Sequence, residues 1–238
     1  PGESIIVEDP TFVGALNGFI SNDAKLLGVP VESDGMNLGL LEEAMQSTPA
    51  PKLLYIIPTF QNPTCITTSL EKRRAIYDLC LKYNIIILED NPYGTLRFKG
   101  KTIPTLKSID TEGIVVYCAR LSKIISPGIR LGTIIANKEI IDKFNILKGA
   151  SAGAVTNWSQ HVVARSLETV DMDMHLAHLH SVYGKKSTLM VEMLKKTFHP
   201  DVRFTTSDVV IFVWSDLPKY AAARTFLNTA IPMHIARV

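Results

Sequence analysis

Short apolar runs punctuate the first half of the chain, and between them apolar positions recur every third or fourth residue. Runs at 4–7, 25–31, 52–57, 85–88, 115–118 and 131–136 read as buried strands. The segments 12–20 and 37–45 read as amphipathic helices. In a third helix, reaching about residue 83, Ile76, Leu79, Cys80 and Tyr83 share one stripe, and Thr68 with Glu71 fits a capping box at its start. Strands alternating with helices predict βαβ units: an α/β fold with a mainly parallel sheet and helices on both faces.

From residue 138 the pattern changes. Helices dominate to about residue 199, then strand-like runs follow at 203–204, 209–213 and 232–235, with a helix near 221–227. This predicts a large domain over 1–150, a helical connection over 151–200 and a partial α+β small domain over 201–238. The chain opens on Pro-Gly-Glu and ends just after a strand-like run, so both ends read as cut from something longer.

Composition narrows the class. The 238 residues are 46% apolar and 20% charged, with a formal net charge of +2 and a mean hydropathy of +0.15. Mixed charges give no basic face for nucleic acid. No apolar run is long enough for a membrane span. Cys65, Cys80 and Cys118 form no CxxC pair and are odd in number, which fits a reducing, cytoplasmic setting better than a disulfide framework.

The chemistry collects at strand ends. In an open parallel sheet, ligands bind outside the carboxyl ends of the strands. Asn62, Asp90 and Lys123 each lie shortly after a strand's last apolar residue, so the topology brings them to one edge. Taken alone, Lys123 is either a solvated loop lysine or a Schiff-base lysine whose amine is depressed by its surroundings. Tyr93 and Arg130 add a phenol and a guanidinium to the amide, carboxylate and amine. That set suits pyridoxal 5'-phosphate (PLP): an amine for the aldehyde, a carboxylate for the pyridine nitrogen, hydrogen bonds for the ring 3-oxygen and a bidentate phosphate ligand.

Four motifs in order, EDPTFVGAL, PTFQNPT, LEDNPYGTLRF and LSKIISPGIRLG, resemble the fold-type I PLP enzymes of aminotransferase class I/II. The resemblance is nearest to aminoadipate/kynurenine-type aminotransferases and to the aminotransferase domains of MocR regulators. It implies that Lys123 binds the cofactor aldehyde and shuttles the proton, and that Asp90 partners the pyridine nitrogen. It also implies that Tyr93 and Asn62 hold the 3-oxygen, Ser122 and Arg130 the phosphate, and that Phe12 stacks on the ring. It implies ping-pong transfer between an amino acid and a 2-oxo acid, and a homodimer. The same motifs leave open a PLP-binding sensor domain of a transcription regulator, or a β-lyase. The lone histidine pair His175 and His178, three apart on a helix, lacks further ligands and reads as solvated or packing residues rather than a metal site.

Three positions depart from the family pattern. Arg120 stands where a hydroxyl residue usually precedes the lysine by three; it points to solvent, contacts the phosphate or crowds the pocket. Cys65 replaces a glycine, reads as a packed thiol, and would be strained if that glycine serves a positive φ. Ser207-Asp208 replaces Gly-Gly. The family's glycine-rich phosphate loop and its carboxylate-binding arginine are expected outside the chain, since Arg237 lies in the wrong context for the latter.

Overall fold

The computed structural model describes residues 2–151, 156–205 and 212–233. Seven strands form one sheet: β1 (Ser4–Asp9), β2 (Lys25–Glu32), β3 (Gly35–Met36), β4 (Leu53–Ile56), β5 (Ile86–Asp90), β6 (Val115–Arg120) and β7 (Gly132–Ile135). Their order is β3-β2-β1-β4-β5-β6-β7. The five strands from β2 to β6 pair parallel, and β3 and β7 add antiparallel edges. The α/β, mainly parallel architecture is therefore as the alternation predicts.

Side-chain alternation divides the sheet into two faces. Ile6, Leu54, Ile56, Ile87 and Val115 pack in one core against α2 (Leu38–Met45), α3 (Leu70–Lys82) and the short α4 (Leu106–Ile109). Their neighbours Ile5, Val7, Tyr55, Ile57 and Leu88 face α1 (Val13–Ile20), which contributes Ala15, Leu16 and Phe19. None of the α1 side chains is fully buried. The second layer is thus much thinner than the first.

Two local expectations are corrected. The cap of α3 is Ser69, whose Oγ accepts from the Lys72 N–H at 3.2 Å, not Thr68. Thr68 is instead buried, its N–H bonded to Pro58 O at 2.9 Å, because the chain there is still crossing the core. The run at 131–136 does form a strand, but at the sheet's edge, with Ile134 42% and Ile135 53% exposed, so Lys123 is not enclosed between two core strands.

Beyond the sheet lie α5 (Lys138–Ser151), α6 (Asn157–Thr169) and the long α7 (Met172–Thr197). A two-stranded ladder joins β8 (Arg203–Phe204) to β9 (Ser215–Asp216), and α8 (Ala223–Ala230) follows. Residues 212–213, expected in a strand, lie outside one. Phe212 packs on Tyr93 and its carbonyl meets Cys65 Sγ at 3.1 Å, which draws this stretch away from the ladder. The rest of the 209–213 and 232–235 strand expectations, Ser207-Asp208 and Arg237 fall outside the described residues, except that Pro232 and Met233 lie in a turn.

Arg73 is the largest fully buried side chain. Its Nε donates to Thr68 O at 3.0 Å, Nη1 to Pro104 O at 2.9 Å, and Nη2 to Pro58 O at 2.6 Å and Thr59 Oγ1 at 2.9 Å. One guanidinium thus ties the loops after β4 and before α4 to α3. Nearby, buried Glu89 accepts the Leu106 and Lys107 N–H groups at 3.0 and 2.8 Å, the free donors of the first turn of α4. Burial raises the Glu89 carboxyl, while those two N–H groups and then Arg73 oppose the rise. Arg73→Leu removes four hydrogen bonds and the cation facing Glu89. It should lower the unfolding free energy by about 3 kcal/mol, read as a shifted urea midpoint at unchanged slope.

Glu8, at the end of β1, is 1% exposed. Its Oε2 accepts from the Ile57 N–H at 2.9 Å and from Gln61 Nε2 at 3.4 Å. Burial outweighs both and pushes the carboxyl from 4.5 up to about 8. The unfolded chain releases this proton first as pH rises. Glu8 therefore favours folding most below pH 4.5, and that contribution falls away as pH rises toward about 8. Melting temperatures measured from pH 5 to 8 should decline less in Glu8→Gln than in the parent protein.

Candidate functional site

Four loops leave the carboxyl ends of the parallel strands and enclose a cleft of about 570 Å³. Phe12, from the turn after β1, lies on one wall, and Asn62 comes from the loop after β4. Tyr93 stands where the chain leaves β5, just before a short 3-10 turn, Gly94–Leu96. Ser122, Lys123 and Arg130 come from the β6–β7 connection, which is built from two more 3-10 turns, Leu121–Lys123 and Pro127–Ile129. Six of the seven sequence-predicted residues thus line one cavity. A second depression, of about 620 Å³, lies along α7 near Phe98 and Glu192 and holds none of them.

The seventh, Asp90, is 3% exposed and reaches the cleft through a neighbour. Its Oδ2 accepts from Tyr55 Oη at 2.9 Å and from Arg120 Nη2 at 2.8 Å. Its Oδ1 is buried and has no hydrogen-bond partner among the described residues. Desolvation raises the Asp90 carboxyl, with Arg120 the largest opposing influence and Tyr55 next. The same carboxylate, together with burial, drives the Tyr55 hydroxyl far above the ordinary phenol range, so Tyr55 acts only as a donor to it.

Arg120 does what neither of the favoured readings of the sequence anticipates. Its guanidinium turns toward Asp90, and its Cζ lies 5.5 Å from the centroid of the Phe12 ring. Register explains its placement: Arg120 is the last residue of β6, opposite Gly132, and Cys118 opposite Asp90 sets the strand ends side by side.

On the far wall, Asn62 Nδ2 donates to Tyr93 Oη at 3.3 Å, which joins the amide and phenol that the sequence pairs. Tyr93 is 7% exposed, and burial raises its hydroxyl while Asn62 opposes the rise. Phe212 meets its ring edge-on with centroids 5.4 Å apart. Cys65, behind this wall, is buried at φ 63, the left-handed region that the glycine comparison anticipates, and a non-glycine residue there is strained. Burial pushes its thiol up to about 11, so it is a packed thiol rather than a nucleophile.

Lys123 and Arg130 are exposed at the mouth of the cleft, and Ser122 is half-buried. Arg130 also adopts a left-handed backbone, φ 53, with Nη1 donating to Pro127 O at 3.4 Å. The connection is braced from outside by α7. His175 Nε2 lies 2.7 Å from Ile124 O, and His180 Nε2 lies 2.8 Å from Thr95 O. Leu179 and Tyr183 of the same helix pack on Phe60, Tyr93 and Leu96. The histidine-rich run thus holds loops; its spacing signalled a helix face, but nothing local identified the carbonyls it reaches. No group of His, Cys, Asp and Glu suited to a metal occurs among the described residues.

Comparison with known proteins agrees with this arrangement. An aromatic-amino-acid aminotransferase of Thermococcus litoralis is 34% identical over 242 residues, covering 100% of this chain and 58% of the relative. A 2-aminoadipate transaminase of Thermus thermophilus is 29% identical over 240 residues, with 100% and 60% covered. The crystal structure of Pyrococcus horikoshii kynurenine aminotransferase in complex with PMP superimposes with a TM-score of 0.95 at 30% identity, covering 100% of this chain and 60% of that one. The chain therefore spans about three fifths of the length of the relatives it matches. The family described as aminotransferase class I and II matches residues 1–234, and the chain belongs to that family.

Proposed function

We propose that the cleft binds PLP and serves an aminotransferase that moves an amino group between an amino acid and a 2-oxo acid. The observation that carries this reading is Asp90 Oδ1: a buried carboxylate oxygen with no partner among the described residues, on a residue whose other oxygen bonds a side chain of the cleft wall. A buried acceptor left unpaired is costly, and a pyridine N–H would satisfy it. The other donors fit the rest of the cofactor. Tyr93 and Asn62 together suit a phenolate oxygen, Ser122 and Arg130 suit a phosphate, and Phe12 offers an aromatic face.

When bound, PLP supplies an aldehyde for amines and a protonated pyridine that accepts the electron pair left when a Cα–H bond breaks. The protein's share is positioning and proton movement. Asp90, oriented by the Tyr55 hydroxyl, would accept the pyridine N–H. Lys123, free as an amine, would take a proton from the substrate Cα and return it to the aldehyde-derived carbon on the other side of the transferred nitrogen. Phe12 and Phe212 line the cleft with apolar surface and limit water there.

The partners in this reading are an amino acid and a 2-oxo acid, in a homodimer. The exposed Phe144, Ile146 and Leu147 of α5 support it as apolar surface that a second subunit would cover. Free thiols at Cys65, Cys80 and Cys118 favour a cytoplasmic setting. No helix among the described residues is long and apolar enough to cross a membrane.

Titration with PLP should produce a protein-bound chromophore, and borohydride should then fix its mass on the peptide holding Lys123. Lys123→Ala should lose both signals with its fold intact by circular dichroism. An unaltered chromophore in that variant would refute the assignment. Incubation with a panel of amino acids and 2-oxoglutarate should yield amino-group transfer rather than release of pyruvate and a thiol.

A further inference from the structure

Arg120 makes two contacts that define a small binding geometry. Its guanidinium pairs with Asp90 Oδ2 at 2.8 Å and lies over the Phe12 ring, 5.5 Å from its centroid. A flat cation is thus held between a buried carboxylate and an aromatic face. A protonated pyridine ring is also a flat cation and takes the same two partners in the reading above. We infer that Arg120 is a resident competitor of the cofactor ring: its guanidinium fills the space between Asp90 and the Phe12 ring, and PLP reaches the other carboxylate oxygen, Oδ1, only when that guanidinium moves out.

Four observations favour exchange over a permanent structural bond. First, Asp90 needs a cation, because it is 3% exposed and its charge is otherwise opposed by burial. Second, the Arg120 side chain is 45% exposed, so its guanidinium can move into water without crossing the core. Third, Tyr55 also donates to Oδ2, at 2.9 Å, which gives the carboxylate a second anchor besides the guanidinium. Fourth, both Arg120 and Phe12 line the cleft itself, which puts the displaced pair in the cavity where PLP enters. Arg73, the cation facing the adjacent carboxylate Glu89, is by contrast fully buried and bonded to four acceptors. It cannot be exchanged in this way.

The inference rests on the PLP reading and is tested apart from it. PLP would be titrated into the full chain and into Arg120→Ser, Arg120→Ala and Arg120→Lys, reading the bound chromophore and the borohydride-fixed mass on Lys123. Removing one half-exposed charge-assisted bond should tighten PLP about tenfold in the Ser and Ala variants, with Lys between them and the parent. Melting without PLP should fall in Arg120→Ser while the PLP-induced rise grows; a purely structural arginine would lower both. Equal or weaker PLP binding in the folded variants, with Lys123 still labelled in the parent, overturns the competition and leaves the cofactor reading standing. Labelling of Lys123 in Arg120→Ser alone supports the competition outright. If no variant nor the parent labels Lys123, the cofactor reading falls and this inference falls with it. Should Arg120→Ser and Arg120→Ala fail to fold, Arg120→Lys decides by the same comparison.

Discussion

Keeping a carboxylate charged with almost no water around it is the constraint on which the site depends. Glu8, Glu89 and Asp90 all sit at the carboxyl ends of parallel strands, and all are buried. Each meets the cost differently. Glu8 lacks a cation and is driven toward its neutral form. Glu89 faces the thick core layer and takes the N–H groups of α4, with Arg73 as a fixed countercharge. Asp90, one residue on and therefore on the opposite face, depends on a hydroxyl from β4 and a guanidinium from β6. Glu8 and Asp90 each keep one buried oxygen without a partner among the described residues, and of the two Asp90 is the one bonded to a side chain of the cleft wall.

The fold was legible because period and composition speak to it directly. Apolar runs with no polar alternation mark strands covered on both faces, and strands that alternate with helices must pair parallel. Convergence of Asn62, Asp90 and Lys123 followed from the same topology, without any knowledge of contacts. The motifs then supplied Phe12 and Ser122, which no periodicity singles out.

What stayed hidden depends on neighbours distant in sequence. Arg73 lies in the run Glu71-Lys72-Arg73-Arg74, which reads as a solvated face, yet it is the most deeply buried cation of the described residues. Ser69 and Thr68 are adjacent hydroxyl residues; only the path of the loop decides which one caps. Arg120 stays open between solvent, phosphate and a crowded pocket because nothing near it in sequence reveals that β5 sets a buried carboxylate beside it. The exposure of β7 likewise follows from its place at the edge of the sheet, which its apolar content cannot convey.

The bracing helix has a mechanical corollary. His175 and His180 grip one carbonyl in the loop after Lys123 and one just past Tyr93, so a shift of that stretch of α7 carries amine and phenol along as a pair. Asp90 belongs to the sheet and stays where it is. The gap between them is consequently set by how α7 leans on the strands, and a tilt of one helix changes the width of the cleft without unfastening either loop.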